Sequence, residues 1–504
     1  MSLFNETLLW FMKRRMPRIE AMYERPLELQ EQMLQGLLSH GRSTEWGTKH
    51  GYSDISNYER FKQQVPISTY EEIFPYIDRM MQGEQNILWD TPISWYSKSS
   101  GTTNARSKFI PVSKESLEEC HMMGGKDMIT LLAANKPDTK VFEGKGLSIG
   151  GSLTENPVNS SMLMGDVSAV VMKNLPIWAQ IIRTPSLDVA LMGDWDQKIE
   201  KMAIETSKEN VTSILGVPTW TLVLIEKILE ITGKKSILEV WENFEFMIHG
   251  AVAFGPYREL FKNQIFPSSQ VGFLEIYNAS EGFFGIQDDL SKPDEMLLML
   301  DYGIFYEFIP VSEEGEESDT IVALDQVEIG VNYAMVISTN AGLWRYKIGD
   351  TVKFTSLSPF RIKISGRTKH FINAFGEELI IENAETAVAR ACAATQAEIK
   401  DYTAAPAFMN EGKNGHHEWV IEFSKAPKDF RTFAQILDQT LREQNSDYDA
   451  KRSYDLVLGP PLVHIAPAGT FHNWMRERGK LGGQHKVPRL SNHREFLEGV
   501  KAHF

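Results

Sequence analysis

Ser99-Ser100-Gly101-Thr102-Thr103 sets hydroxyls and a glycine in one unbroken run, and two cations, Arg106 and Lys108, follow it closely. Glycine lets backbone N–H groups approach an anion, hydroxyls donate to phosphoryl oxygens, and a lysine adds a point charge. These residue types in this order suit a phosphate cradle. A surface turn accounts for the same composition, because Gly, Ser and Thr also break regular structure. Three further stretches carry matching chemistry. Tyr277-Asn278-Ala279-Ser280-Glu281 follows the apolar VGFLEI. It offers a ring to stack on a base, a hydroxyl for a phosphate and a carboxylate for a metal, although a strand end with a core tyrosine and an exposed acid is the plainer reading. Arg345-Tyr346-Lys347-Ile348-Gly349-Asp350 ends in a Gly-Asp pair. One carboxylate there suits the two hydroxyls of a ribose, and on its own the pair is also an ordinary β-turn. Gly366-Arg367-Thr368-Lys369 stands where the composition changes.

Other candidates carry less. His416-His417-Glu418 has residue types for acid–base or metal chemistry, but it follows the turn-rich EGKNG and reads as an exposed hairpin. Trp178, Ile182, Arg183 and Trp220 lie near strand ends and are candidates for an acyl pocket, with Arg183 reading more simply as the partner of a surface acid. The patterns GxxxxGK[ST], HExxH and GxSxG are absent.

The elements that must position these residues follow from periodicity. The first 65 residues read as helical, with apolar positions at helical spacing from Leu27 to Leu38 and a stop at Gly41. Between 140 and 300 strands alternate with helices. GKGLSIGG, TSILGVPTW, FEFMIHGAVAF and VGFLEIYNASEGFFG read as strands running into turns, and TWTLVLIEKILEITG reads as a helix stopped by Gly233. Such alternation predicts βαβ units and a mainly parallel sheet, whose ligands bind at the carboxyl ends of the strands. Residues 301–365 become strand-rich and suit a small antiparallel unit. After Gly366 a smaller α/β domain is predicted, with a helix over EELIIENAETAVARACAAT, strands at EWVIEFS and YDLVLG, and the helix DFRTFAQILDQTLREQN between those strands.

Bulk properties narrow the function. The chain has 504 residues, 42% of them hydrophobic and 24% charged, which is enough for more than one packed domain and argues against disorder. A net charge of −15 disfavours a general nucleic-acid or anionic-membrane binder, so an anionic substrate must meet a few local cations. Two cysteines far apart, Cys120 and Cys392, support neither a disulfide framework nor a Cys-based zinc site. No stretch approaches the ~20 apolar residues of a membrane span. The expectation is a cytoplasmic monomer without nucleic-acid or membrane partners.

The order and rough spacing of the four stretches resemble the adenylate-forming superfamily of acyl-CoA synthetases, luciferases and peptide-synthetase adenylation domains. There a phosphate loop, a Tyr-x-x-Thr-Glu segment, a ribose Asp and a Gly-Arg hinge follow one another. Ser280 stands where that superfamily has Thr, and IHGAVAF resembles the strand and loop beside the adenine, with Gly250 and Ala251 at the contact positions. Within the superfamily the chain resembles the auxin-responsive acyl acid amido synthetases and their bacterial relatives. Lys108 falls one residue later than in TSGTTGxPK, and TNARSK lacks the second Gly. YNASEGFFG resembles that family's Tyr-x-x-Ser-Glu segment, and LWRYKIGD its Tyr-Arg-x-Gly-Asp. Gly483-Gln484-His485-Lys486-Val487-Pro488-Arg489 resembles its Gln-aromatic-Lys-x-Pro-Arg, with His485 replacing the aromatic. The likeness spans nearly the whole chain, although the N-terminal region and the acyl pocket carry no transferable motif.

The resemblance implies an α/β adenylate-forming fold. A large domain over 1–365, built of βαβ-type subdomains and a small β-rich unit, would bind ATP and the acid. A smaller mobile domain over 366–504 would pivot near Lys369. It implies an ATP-dependent ligase that adenylates a carboxylic acid and passes the acyl group to an amine, most simply an amino acid. Ser99, Ser100, Gly101, Thr102, Thr103 and Lys108 would hold the phosphates. Gly250, Ala251, Tyr277, Ala279 and Ser280 would line the nucleotide, Asp350 and Arg367 the ribose, and Glu281 would hold Mg²⁺. Lys486 would be the catalytic cation for adenylation. Lys369 would act as hinge, nucleotide contact or both. An acyl-CoA ligase with the same first step, and a nucleotide-binding regulator without catalysis, are the alternatives.

Overall fold

Val211–Leu215 and Phe246–His249 are short apolar runs, largely or wholly buried along their length. This is the pattern of parallel strands covered on both faces by helices. The computed structural model describes the chain except residues 1, 104–105, 156–161, 253, 313–315, 368–370, 409–413, 454–456 and 479–486, and at 99–103, 106–107, 154–155, 196, 256 and 367 it describes the backbone alone. The chain divides into two compact units, Met1–Ser99 with Lys108–Thr368, and Ser100–Ser107 with Lys369–Phe504.

The first unit is built on a twelve-stranded sheet. One half is parallel, in the spatial order Arg183–Thr184, Lys145–Ser148, Val211–Leu215, Phe246–His249 and Gly272–Ala279. The helix Pro218–Thr232 joins two of these strands. Proline begins it and Gly233 ends it in the left-handed conformation, φ 68°, as the sequence predicts. The sheet turns antiparallel at the hairpin Gly272–Ala279/Gly282–Ile286. It continues through Met296–Leu298, Phe360–Arg367, Tyr346–Leu357, Asn332–Thr339, Ile304–Val311 and Val322–Ala323. The expected strand-rich unit is therefore hydrogen-bonded in line with the parallel half.

Helices from the N-terminal region pack on the antiparallel half. Helix Pro26–Gly41 ends where the Trp344 ring crosses it, and a Cβ on Gly41 would lie 2.6 Å from that ring. Trp344 is fully buried and donates its indole N–H to the Leu88 carbonyl at 2.9 Å. Burying an aromatic of this size with its polar atom satisfied contributes about 1.5–3 kcal/mol.

The hydroxyl-rich run differs from its expected form as a turn. The strand Trp95–Thr103 continues through it, and Arg106 and Lys108 lie on the neighbouring strand Arg106–Val112. Threonine favours extended backbone once a neighbour can pair with it, and that preference prevails over the turn tendency of Ser and Gly. The strand's first residues, Trp95 to Ser97, pair in parallel with Leu163–Gly165.

The second unit carries a two-stranded ribbon, Phe371–Ile372 with Leu379–Ile380, and helix Ile381–Thr395. Its three-stranded sheet has His416–Lys425 in the middle, antiparallel to Glu398–Ala407 and parallel to Leu462–Ala466. Helix Phe430–Gln444 lies between the second and third strands, as expected. The third strand is Leu462–Ala466 rather than YDLVLG, of which residues 454–456 lie outside the described part and Leu458 makes only an isolated bridge to Gly415.

His416-His417-Glu418 is no exposed hairpin. It opens the middle strand, where all three residues pair with Glu398–Ala407 and Glu418 also pairs with Leu462. His417 is buried with Nε2 2.7 Å from Glu377 Oε1, and Glu418 is buried beside Arg494 at 2.5 Å and Lys501 at 2.7 Å. Burial alone would raise the Glu418 carboxyl, but the hydrogen bonds from these two cations hold it at about 2. Both residues brace the unit.

Candidate active site

The carboxyl ends of the parallel strands are where the chemistry gathers. Tyr277 sits near the end of Gly272–Ala279, buried, with its ring edge-on to Phe284 at 4.9 Å. Its hydroxyl donates to Asp350 Oδ2 at 2.6 Å. Asp350 reaches that position through a local irregularity. Opposite Ala334 and Val336 the register jumps from Thr351 to Lys347, so Ile348-Gly349-Asp350 bulges from the ladder. Gly349 takes φ +91°, a conformation that L side chains rarely adopt, and the bulge re-aims the carboxylate that follows. On the other edge Asp350 stands in register with Arg367.

The loop that begins at Gly250 and Ala251 approaches from the end of the next strand, Phe246–His249. A Cβ on Gly250 would meet the Ile276 carbonyl at 2.5 Å, so only glycine lets this backbone lie against the strand that carries Tyr277. Ala251 follows with φ +69°. Ala279 closes the strand, and Ser280 and Glu281 form the two-residue turn to Gly282.

Glu281 lies close enough to Tyr346 and Tyr70 to raise both phenols, after burial, which is the larger cause; Tyr70 is pushed up to about 12 and Tyr346 well above its ordinary value. Lys108 Nζ donates to Tyr346 Oη at 3.5 Å and stands 5.5 Å from the centre of the Tyr70 ring. Phe109 N–H donates to the Tyr70 hydroxyl at 2.7 Å. Lys108, Tyr70, Tyr346, Glu281, Asp350 and Tyr277 thus form one continuous polar patch of a cation, two carboxylates and three phenols.

This patch is held from behind. Arg345, buried, grips Glu307 through Nε and Nη2, both at 2.8 Å, and donates Nη1 to the Lys62 and Val65 carbonyls at 2.9 and 2.6 Å. Ser68 N–H donates to the Arg345 carbonyl and Lys347 N–H to the Ser68 carbonyl, both at 2.9 Å. These bonds tie the start of helix Tyr70–Gln82 to the strand carrying Tyr346 and Asp350. Sequence reading missed Tyr70 and the role of Tyr346. Tyr346 lies within the Arg345–Asp350 stretch, whereas the signal near Tyr70 is the Thr69…Glu72 capping box, which marks a helix start and no chemistry.

Behind Tyr277 on the same face of its strand, Glu275 pairs in register with His249. Burial, and then the nearby Asp294, push the Glu275 carboxyl up to about 7. His249 stacks on Phe254 at 3.8 Å, and burial pulls its imidazole down to about 3.

Other expected residues fall elsewhere. Ser99, Ser100, Gly101, Thr102 and Thr103 are placed by backbone alone, as is Arg367, and Lys369 and Lys486 lie outside the described residues. Trp220 stacks on Trp195 at 4.2 Å, and Ile182 packs beside the cluster of Leu9 and Met12. Arg183 is buried rather than paired with a surface acid. Among the described residues, no three His, Cys, Asp or Glu side chains gather round a metal-sized point. A Mg²⁺ ion bound with nucleotide asks for one or two carboxylates beside phosphates and water, and Glu281 at a hairpin tip fits that demand.

Three matches cover most of the chain. Residues 15–271 match the GH3 family N-terminal domain, 297–367 the GH3 family central domain and 382–495 the GH3 family C-terminal domain. The chain belongs to the GH3 family. Among GH3 relatives, indole-3-acetic acid-amido synthetase GH3.4 of Arabidopsis thaliana is 24% identical over 96% of this chain and 94% of its own. The 4-substituted benzoates-glutamate ligase GH3.12 of the same plant is 23% identical over 92% of each chain. Among solved structures, the AtGH3.15 acyl acid amido synthetase in complex with 2,4-DB aligns with TM-score 0.63 at 20% identity, covering 98% of this chain and 96% of that one. A 2-hydroxyisobutyryl-CoA ligase aligns at 0.56 and 11% identity, covering 96% and 94%. The fold of this GH3 chain is therefore that of the adenylate-forming enzymes, as the ordered motifs implied. Among the described residues no helix is long and apolar enough to cross a membrane.

Proposed function

We propose that this chain is an ATP-dependent acyl acid amido synthetase, a ligase that joins a small carboxylic acid to an amine, most simply an amino acid. The observation that carries the reading is the Tyr277–Asp350 bond at 2.6 Å, beside Glu281 and Lys108, at the carboxyl ends of the strands in a GH3 chain.

In the first half-reaction a carboxylate oxygen attacks the α-phosphorus of ATP. The bond to the bridging oxygen breaks, and pyrophosphate leaves with its electron pair. In the second half-reaction the amine nitrogen attacks the acyl carbon, the acyl–oxygen bond to AMP breaks, and the nitrogen gives up a proton. Adenylation brings anions together, so its catalysis is mainly positioning and charge stabilisation. Tyr277 walls the adenine slot with Gly250, Ala251, Ala279 and Ser280, and orients Asp350 through its hydroxyl. Asp350 accepts the ribose hydroxyls, with Arg367 across the ladder. Ser99 to Thr103 and Lys108 receive phosphate oxygens. Glu281 would hold Mg²⁺, which when bound neutralises phosphate charge. Lys486 supplies the cation at the α-phosphate, and the chain hinges near Lys369 between a domain over 1–365 and one over 366–504. The enzyme works as a monomer in the cytoplasm, a reducing compartment that suits its two free thiols.

Pyrophosphate release from ATP and Mg²⁺ across a panel of aryl and alkyl acids, followed by mass spectrometry of products made with each amino acid or with CoA, tests this. Acid-dependent pyrophosphate and an amide product are expected. A thioester with CoA and no amide would assign the acyl-CoA ligase instead, and silence across the panel would leave a nucleotide-binding regulator.

A further inference from the structure

Arg183 presents a physical problem that the catalytic patch does not solve. It lies on the edge strand Arg183–Thr184 and is 8% exposed. Among the described residues, Nη1 donates to the Pro185 carbonyl at 2.6 Å, Nη2 faces only the Met172 thioether sulfur at 3.9 Å, and Nε has no acceptor. Among the described residues no carboxylate stands within ion-pair distance of it. The nearest acid in effect, Glu205, already accepts from Ser186 N–H and Oγ–H at 2.5 and 3.0 Å. Taking a cation out of water without a counter-ion costs several kcal/mol, and burial pulls this guanidinium below its ordinary value. A protein that keeps such a group gains when an anion completes it.

There is room for one. Arg183 lines a cavity of about 400 Å³ together with Lys145, Gln180, Pro185, Leu187 and Glu205, a volume at the small end of ligand pockets. The lining selects the ligand's charge. Lys145 is held by Glu209 at 2.5 Å, so Arg183 is the cation short of an oxygen. Glu205 on the same wall repels a second negative charge. Pro185 and Leu187 supply apolar surface. A single carboxylate carried on a small apolar body satisfies all three conditions, and a phosphate dianion does not.

The cavity is separate from the catalytic patch. The Arg183 strand is the edge of the sheet, and the Tyr277 strand lies four places along it. At about 4.8 Å per strand this is about 19 Å, too far for one small acid held by Arg183 to reach a nucleotide beside Tyr277. We propose that this edge-strand cavity is a second binding site for a small organic monocarboxylate, distinct from the site of adenylation.

Equilibrium dialysis with radiolabelled benzoate, in the absence of ATP, tests this on the intact chain and on two variants. Arg183→Gln removes the charge. Leu187→Trp fills the cavity while leaving the guanidinium in place, and circular dichroism checks that each variant is folded. Benzoate held in a catalytic acyl pocket would be common to all three proteins and cancels in the comparison. The expected result is a saturable component in the wild-type chain that both variants lose by tenfold or more in affinity, that inorganic phosphate does not displace, and adenylation rates within twofold of wild type. Identical isotherms in all three proteins, loss in Arg183→Gln alone, displacement by phosphate, or no saturable component in the wild type would each overturn the proposal.

Discussion

The Tyr277 hydroxyl donates to Asp350 Oδ2 at 2.6 Å across two strands that are far apart in sequence. The bond joins the parallel half of the sheet, through the end of Gly272–Ala279, to the antiparallel half, through the Gly349 bulge. A hydrogen bond to a charged group contributes about 1.5–3 kcal/mol. Tyr277→Phe keeps the ring packed on Phe284 but leaves Asp350 less firmly oriented. The variant should fold normally and raise the KM for ATP by roughly tenfold to a hundredfold, with a smaller change in kcat. Steady-state kinetics of pyrophosphate release with ATP varied measures this, and an unchanged KM would remove Asp350 from nucleotide binding.

Glu281 sits at the tip of a two-residue hairpin turn, where its backbone is fixed by the Ala279–Gly282 pair. Glu281→Gln keeps that turn and removes the charge suited to Mg²⁺. The variant should need at least tenfold more Mg²⁺ for half-maximal pyrophosphate release. A Mg²⁺ titration indistinguishable from wild type would leave Glu281 as an acid that only shapes the Tyr70–Tyr346 surroundings.

The parts of this molecule that were legible in the sequence are those fixed by local rules. The helix Pro218–Thr232 carries its own start and stop residues, and the short runs at 211–215 and 246–249, each followed by a glycine, fit covered strands. Tyr277, Glu281 and Asp350 were legible as chemistry because their residue types stand in a recognisable order along the chain. What was not legible depends on partners distant in the chain. Ser99–Thr103 reads as a turn until a neighbouring strand pairs with it, and His417 reads as exposed until Glu377, 40 positions away, closes over it. Tyr70 enters the patch only because Ser68 is bonded to the backbone at 345–347, and no spacing within 68–72 encodes that pairing.

Arg345 stands next to the patch and works by holding it. Its fork matches Glu307 and two carbonyls at once, which a lysine cannot do. Arg345→Lys should leave Glu307 and the carbonyls of Lys62 and Val65 underpaired in a dry site, with a loss of about 3–5 kcal/mol. Thermal unfolding should show a clear drop in midpoint. An unchanged midpoint would contradict the bracing role.

Glu275 predicts the sign of a pH effect. Its folded carboxyl is raised to about 7, so between its ordinary value of 4.5 and 7 the native state binds more protons than the unfolded state. Its contribution to stability is therefore fully present below the ordinary range and declines as pH rises toward 7. Glu275→Gln should abolish that decline, and wild type and variant should converge below pH 4.5 and separate above it, the variant being the more stable at pH 8. Urea midpoints measured from pH 4 to 8 test this, and parallel profiles would refute it.

On the proposed mechanism, Lys486 would separate the two half-reactions. Adenylation gathers negative charge between carboxylate and triphosphate, where a point cation is worth most, whereas amide formation starts from a neutral amine and an acyl group already activated. Lys486 stands in the sequence GGQHKVPR, and the proposed mechanism would use it for adenylation alone. Lys486→Ala should slow acyl-AMP formation by about a hundredfold, since one lost electrostatic stabiliser costs about 3 kcal/mol of barrier. Supplied with pre-made acyl-adenylate, the same variant should transfer the acyl group to its amine at close to the wild-type rate. Single-turnover assays of each half-reaction make the comparison, and equal losses in both would assign Lys486 to folding or general binding rather than to the α-phosphate.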